Sequence, residues 1–178
     1  MFVWIDLEMT GLNPYTDNII EAAVLVTDRD LEIIDTLSDI VIHVPKSKLD
    51  KMDEWCTRQH GQSGLTRRVL ESTLTLDQAE KQILSFIRKH VPEKHVGVLA
   101  GNSVHMDKEF LRREMPLVLE HLHYRLLDVS SIKILAQNWY PDHFARLPRK
   151  KGSHRALDDI LESIQELKFY KGSIMMPG

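Results

Sequence analysis

One cysteine in 178 residues, Cys56, excludes an internal disulfide framework and suits a reducing compartment or an organelle interior with free thiols. Glycine and proline are sparse, at 8 and 7, and no repeat, low-complexity tract or Gly/Ser-rich linker interrupts the chain. No window approaches the ~20 apolar residues that a membrane span needs. The opening MFVWIDLEMTG is hydrophobic, but it carries two carboxylates and no basic lead-in, which argues against a signal peptide. Positive charge is not in excess either: 23 Lys and Arg face 26 Asp and Glu, for a formal net charge of −3. A protein that grips long nucleic acid carries a basic footprint, because neutralising phosphates supplies most of the non-specific affinity. The one basic concentration is RLPRKKGSHR, residues 146–155, which taken alone reads as a solvated loop. A nucleic-acid partner is therefore expected to be short and held by a few specific contacts and metal ions.

What is present is ordinary for a globular chain, 43% hydrophobic and 28% charged, with a length that fits a single domain. The first 45 residues read as three strands. FVWIDLE alternates, IIEAAVLVTD is almost wholly apolar as for a central strand, and EIIDTLSDIVIHV runs toward Pro45. Gly11, Pro14 and Asn18 mark the turn between the first two. Short helices are expected over 46–53 and 54–60, broken by Gly61 and Gly64. Thr75 and Gln78 form a capping-box signature ahead of an amphipathic helix over 77–90. A buried strand at 96–101, helices around 106–114 and 116–122, a strand at 125–129 and a helix at 130–139 follow. Residues 141–153 read as a loop, and a last helix over about 156–170 carries Leu157, Ile160, Leu161, Ile164 and Leu167 as its core stripe. The order implies an α/β fold, a mixed sheet flanked by helices.

Asp6 and Glu8 stand two apart in the first strand, so both project from one face while Val3, Ile5 and Leu7 take the other. Two adjacent, partly buried carboxylates repel each other unless a cation neutralises them, and a hard divalent ion with oxygen ligands does so. A solvated sheet face would show the same alternation. His154 introduces the last helix, with Asp158 and Asp159 four and five residues on. A helical wheel favours Asp158, provided His154 is itself helical, and an Asp pair in a first turn also suits the helix dipole. Asp107 follows GNSVH, where Ser103 is a candidate N-cap.

Taken in order, Asp6-x-Glu8, Asp107 in NSVHMDKEFL and His154-x-x-x-x-Asp159 in HRALDDI resemble the DEDDh exonuclease superfamily. WIDLEMTGL, AGNSVHMDKEFL, HLHYRLLDVSSIK and SHRALDDI resemble its oligoribonuclease family over essentially the whole chain, and LAGNSVH and NWYP look like the eukaryotic type. The resemblance implies a ribonuclease H-like fold with a mixed five-stranded sheet flanked by helices. It implies 3′-to-5′ hydrolysis of very short single-stranded RNAs, down to dinucleotides, into nucleoside 5′-monophosphates. Two divalent ions, Mg2+ or Mn2+, about 3.5–4 Å apart would clamp the scissile phosphate. Asp6, Glu8 and Asp159 would hold one, Asp6 would bridge to the second, and Asp107 would contribute directly or through water. His154 would be the general base, its ordinary pKa near 6.5 leaving it largely neutral at working pH, and it would swing in when substrate binds. By the same likeness, Leu12 and Trp55 pack on the bases with His60 nearby, and Ser103 and Arg125 cap the 5′ phosphate. Tyr124 would come from the second subunit of a homodimer. Mitochondrial and cytoplasmic locations both fit, and no membrane is involved.

Overall fold

The computed structural model describes residues 1–148 and 155–175, so His154 and the expected swing of its loop lie outside the described residues. β1 (Phe2–Met9), β2 (Ile19–Thr27) and β3 (Ile33–Val41) form an antiparallel meander. The β1–β2 turn is tied by Asp17, which accepts from the Thr10 hydroxyl at 3.1 Å and the Asn13 amide at 2.9 Å. Gly11 lies against this carboxylate so closely that an added Cβ would sit 2.5 Å from Asp17 Oδ2, which explains the glycine.

Past β3 the chain becomes helical: α1 (Lys46–Leu49), α2 (Glu54–Gln62), α3 (Leu65–Glu71) and α4 (Leu76–His90). The first expected helix is cut short because Asp53 is the N-cap of α2, accepting from the Cys56 amide at 2.7 Å. Gly61 lies inside α2 and breaks nothing. The break falls at Gly64, whose φ of 75° is a left-handed conformation that glycine adopts without strain, and the unexpected α3 follows it. α4 opens with the expected box: Thr75 Oγ1 accepts from the Gln78 amide at 3.3 Å, and Gln78 Oε1 accepts from the Thr75 amide at 3.0 Å.

β4 (Val98–Gly101), α5 (His105–Glu114), α6 (Pro116–His121), β5 (Leu126–Asp128) and α7 (Val129–Trp139) come next, then α8 (Pro141–Phe144) and α9 (Ala156–Ser173). The short α8 was expected as loop. Pro141 occupies its first turn, where the missing N–H costs nothing. β4 and β5 join parallel to β1, and the mixed sheet runs β3-β2-β1-β4-β5.

Both faces of the sheet are covered. Val3, Ile5 and Leu7 pack with Ile83 and Ile87 of α4, Phe110 and Leu111 of α5 and Val118 of α6. Trp4, Ala23, Leu25 and Ala100 pack on the opposite side with Val129 and Ala136 of α7 and with Ile160, Ile164, Leu167 and Tyr170 of α9. β2 is buried at all nine positions, as its apolar run requires. Among the described residues no helix is long and apolar enough to cross a membrane.

Candidate metal centre

The β1–β4 pairing ends at Trp4↔Ala100, so the carboxyl half of β1 has no strand beside it on that edge. The first turn of α5 fills the gap. Asp107 Oδ1 accepts the Leu7 amide at 3.0 Å, doing for that N–H what a neighbouring strand would have done. Asp107 is buried, and burial pushes its carboxyl up to about 7 against the Leu7 hydrogen bond that lowers it, with Asp128 adding repulsion.

Trp4, Asp6 and Glu8 share the face of β1 that α9 covers. Trp4 is fully buried, so this is no solvated face, and the two carboxylates lie half-buried beyond it. α9 brings Asp159 to them: one oxygen each from Asp6, Glu8 and Asp159 lie within 4.8 Å of one another. Asp158 is exposed and outside this group. The helix itself begins at Ala156, with Arg155 as its N-cap in extended conformation.

Glu8 shows the cost of crowding. It is pushed up to about 8, first by burial and then by Asp159, Glu21 and Asp107, while Arg155 pulls the other way. A carboxylate held that high at neutral pH lacks countercharge, and hard oxygen donors this close fit a divalent cation. Asp107 is near enough to act on Glu8 but is not one of the three grouped oxygens.

The expected substrate residues are spread around this centre. Leu12 is 71% exposed in the loop that leaves β1, and Trp55 is 50% exposed at the start of α2, so neither is core. His60 is buried on α2. Its Nε2 donates to the Met9 carbonyl at 2.9 Å and its Nδ1 lies 3.9 Å from Glu8 Oε2, which ties α2 to the end of β1. Ser103 is exposed beyond the end of β4. It is not the N-cap of α5, which is Val104; its amide donates to Asp128 Oδ1 at 2.9 Å and Ser130 Oγ at 2.8 Å. Tyr124 and Arg125 are exposed just before β5, the Arg125 guanidinium 5.3 Å from the centre of the Tyr124 ring. Because Gly101 pairs with Asp128 in parallel strands, Ser103 and Arg125 stand at opposite ends of β5 within one chain. One group escaped the sequence reading: Glu21 and Asp39 bridged by Arg68 and Arg155. Its signal was a lone carboxylate inside the apolar IIEAAVLVT.

A five-stranded mixed sheet with an acidic centre at the open end of β1 is the fold of the ribonuclease H-like exonucleases. E. coli Exonuclease I in complex with a dT13 oligonucleotide superimposes with a TM-score of 0.73 at 15% identity, over 97% of this chain and 41% of that one. The Exonuclease I of Methylocaldum szegediense gives 0.69 at 16%, over 96% and 40%. The chain thus spans about two fifths of these structures, with which it shares the fold. The RNase_T exonuclease family matches residues 3–167. The mitochondrial oligoribonuclease of Homo sapiens is 53% identical over 172 residues, 97% of this chain and 72% of that one. The oligoribonuclease of Rhodococcus jostii is 49% identical over 175 residues, 98% and 88%. The chain belongs to the RNase_T exonuclease family and, within it, to the oligoribonucleases, and is a nuclease.

Proposed function

We propose that this single exonuclease domain removes nucleotides from the 3′ end of very short single-stranded RNAs, dinucleotides above all, and releases nucleoside 5′-monophosphates. The observation that carries the reading is the convergence of Asp6, Glu8 and Asp159 with Glu8 pushed up to about 8, in a chain that belongs to the oligoribonucleases.

Asp6, Glu8 and Asp159 would hold one divalent cation, Mg2+ or Mn2+. Asp6 would be shared with a second, to which Asp107 contributes through the oxygen not committed to Leu7. Bound there, the cations supply what carboxylates cannot: they make the attacking water more acidic and offset charge on the leaving 3′ oxygen. His154 takes the water proton on its ring nitrogen as the new O–P bond forms and the P–O3′ bond breaks. Its ordinary pKa near 6.5 suits that role.

Leu12 and Trp55 offer exposed apolar surface for the bases, and base stacking is worth roughly 1–3 kcal/mol without sequence preference. His60, buried between Met9 and Glu8, orders the base of that subsite. Ser103 and Arg125 would cap the 5′ phosphate. Tyr124, exposed just before β5, would come from a second copy, so the working unit would be a homodimer. Likeness to relatives named as mitochondrial supports a mitochondrial location, with a cytoplasmic pool as the other location to be tested by fractionation.

The test is turnover of 5′-labelled RNAs of two to ten nucleotides and of matching DNA, with Mg2+ and with EDTA. Fastest metal-dependent hydrolysis of the diribonucleotide is expected. Equal rates on long DNA would overturn the short-RNA reading.

A further inference from the structure

Glu21 is a carboxylate in an apolar strand, 2% exposed, and the β1–β2 register sets it opposite Glu8. Like charges directly across a strand pair destabilise it, so Glu21 needs compensation of its own. Two guanidinium groups supply it. Arg68, from α3, donates through Nη1 to Glu21 Oε1 at 2.9 Å and through Nη2 to Asp39 Oδ1 at 2.8 Å. Arg155 donates through Nη2 to the same two oxygens, at 3.2 and 3.1 Å. Residues of β2, β3, α3 and the start of α9 thereby close a four-membered ion cluster.

Arg155 is what connects this cluster to the acidic centre. It is the N-cap of α9, with φ −122° and ψ 127°, and no side-chain hydrogen bond caps that helix. Its side chain is fastened to the sheet, while its carbonyl accepts the Asp159 amide at 3.1 Å. One end of the residue grips β2 and β3 and the other holds the residue that must meet Asp6 and Glu8.

We propose that the Glu21–Asp39–Arg68–Arg155 cluster is a positioning device for the cation centre, fixing the first turn of α9 on the sheet so that Asp159 completes the carboxylate set. The proposal rests on the reading of Asp6, Glu8 and Asp159 as a divalent-cation site. Arg68 alone makes the two shorter bonds, so loss of Arg155 leaves Glu21 paired and the fold standing. Charge and position also pull in opposite directions. Deleting a positive group near Glu8 would by itself tighten cation binding, whereas releasing α9 lets Asp159 drift and weakens it.

The test is Mn2+ binding to the metal-free full-length chain, read by electron paramagnetic resonance, with thermal melting alongside. The chains compared are the wild type, Arg155→Ala, Asp39→Asn, Asp159→Ala and the Arg155→Ala/Asp159→Ala double variant. Residues that orient metal ligands from behind are worth 10–100-fold in affinity, so Arg155→Ala is expected to weaken binding by about tenfold. Asp39→Asn, at a side chain 64% exposed, should weaken it in the same direction by less. In the Asp159→Ala background, Arg155→Ala should no longer weaken binding, because the cluster acts through Asp159 and only the loss of charge near Glu8 remains. Unchanged or tighter binding in Arg155→Ala, or equal weakening in both backgrounds, overturns the proposal. If Arg155→Ala does not fold, unchanged binding in Asp39→Asn overturns it equally. Wild-type and Asp159→Ala proteins that bind Mn2+ alike would instead overturn the cation-centre reading, and the cluster's role with it.

Discussion

Replacing Glu8 by Gln tests the electrostatics of the centre without reference to turnover. In the unfolded chain Glu8 has its ordinary pKa of 4.5, and in the folded metal-free protein it is pushed up to about 8. The folded state therefore favours the protonated carboxyl. The stability this lends is fully present below pH 4.5 and is lost as pH rises through about 8. At 1.36 kcal/mol per unit, ionisation of Glu8 in the unfolded chain, which the fold resists, destabilises the metal-free protein by roughly 3 kcal/mol at pH 7 and 1 kcal/mol at pH 5. Gln has the shape of the protonated acid and does not titrate. With 2–4 °C per kcal/mol for a chain of this size, Glu8→Gln should melt roughly 6–12 °C higher than wild type in EDTA at pH 7. The gap should narrow to roughly 2–4 °C at pH 5. Asp107, pushed up to about 7, steepens the pH slope of both proteins and largely cancels in the difference. In saturating Mg2+ the order should reverse, since the wild type gains binding free energy that Gln forfeits. Scanning calorimetry from pH 5 to 8, in EDTA and in Mg2+, reads all of this. A melting difference that does not grow with pH in EDTA, or a Gln variant that melts lower there at pH 7, would refute the reasoning.

Asp159→Ala should lower Mg2+-dependent nucleotide release from a diribonucleotide by at least about 100-fold. The adjacent Asp158→Ala, exposed and outside the grouped oxygens, should stay within about twofold. Trp55→Ala removes a stacking surface that is 50% exposed in the free protein, so KM for a diribonucleotide should rise roughly 5- to 150-fold with a smaller effect on kcat. Thr75→Ala deletes the cap of α4 and should cost about 1 kcal/mol of stability, read as a lower melting temperature with kcat unchanged.

Much of the scaffold was legible because its signals are local. Period-two alternation exposes β1, the unbroken apolar run exposes β2, and Thr75 with Gln78 marks where α4 begins. α3 and α8, at 7 and 4 residues, are short enough that packing has to supply what propensity does not. Leu65 and Val69 of α3 are fully buried against Ile20 and Val41, partners 24 or more residues away that no local pattern reports.

The site divides along the same line. Asp6 and Glu8 share a face by strand geometry, but alternation alone left a solvated face open; the fully buried Trp4 on that face, packed under α9, is what closes it. Asp159 did not follow from geometry, because the wheel was drawn from His154 while the helix starts after Arg155. Asp107 could not: its place is set by the Leu7 amide, one hundred residues away, which is orphaned only because β4 stops opposite Trp4. Glu21 is the instructive case. A single carboxylate among eight neutral residues of a buried strand must be paired, and that demand is visible without coordinates. What stays invisible is that one of its partners, Arg155, also accepts the Asp159 amide through its carbonyl, so that a residue that secures the sheet reaches the carboxylate centre through a single helical turn.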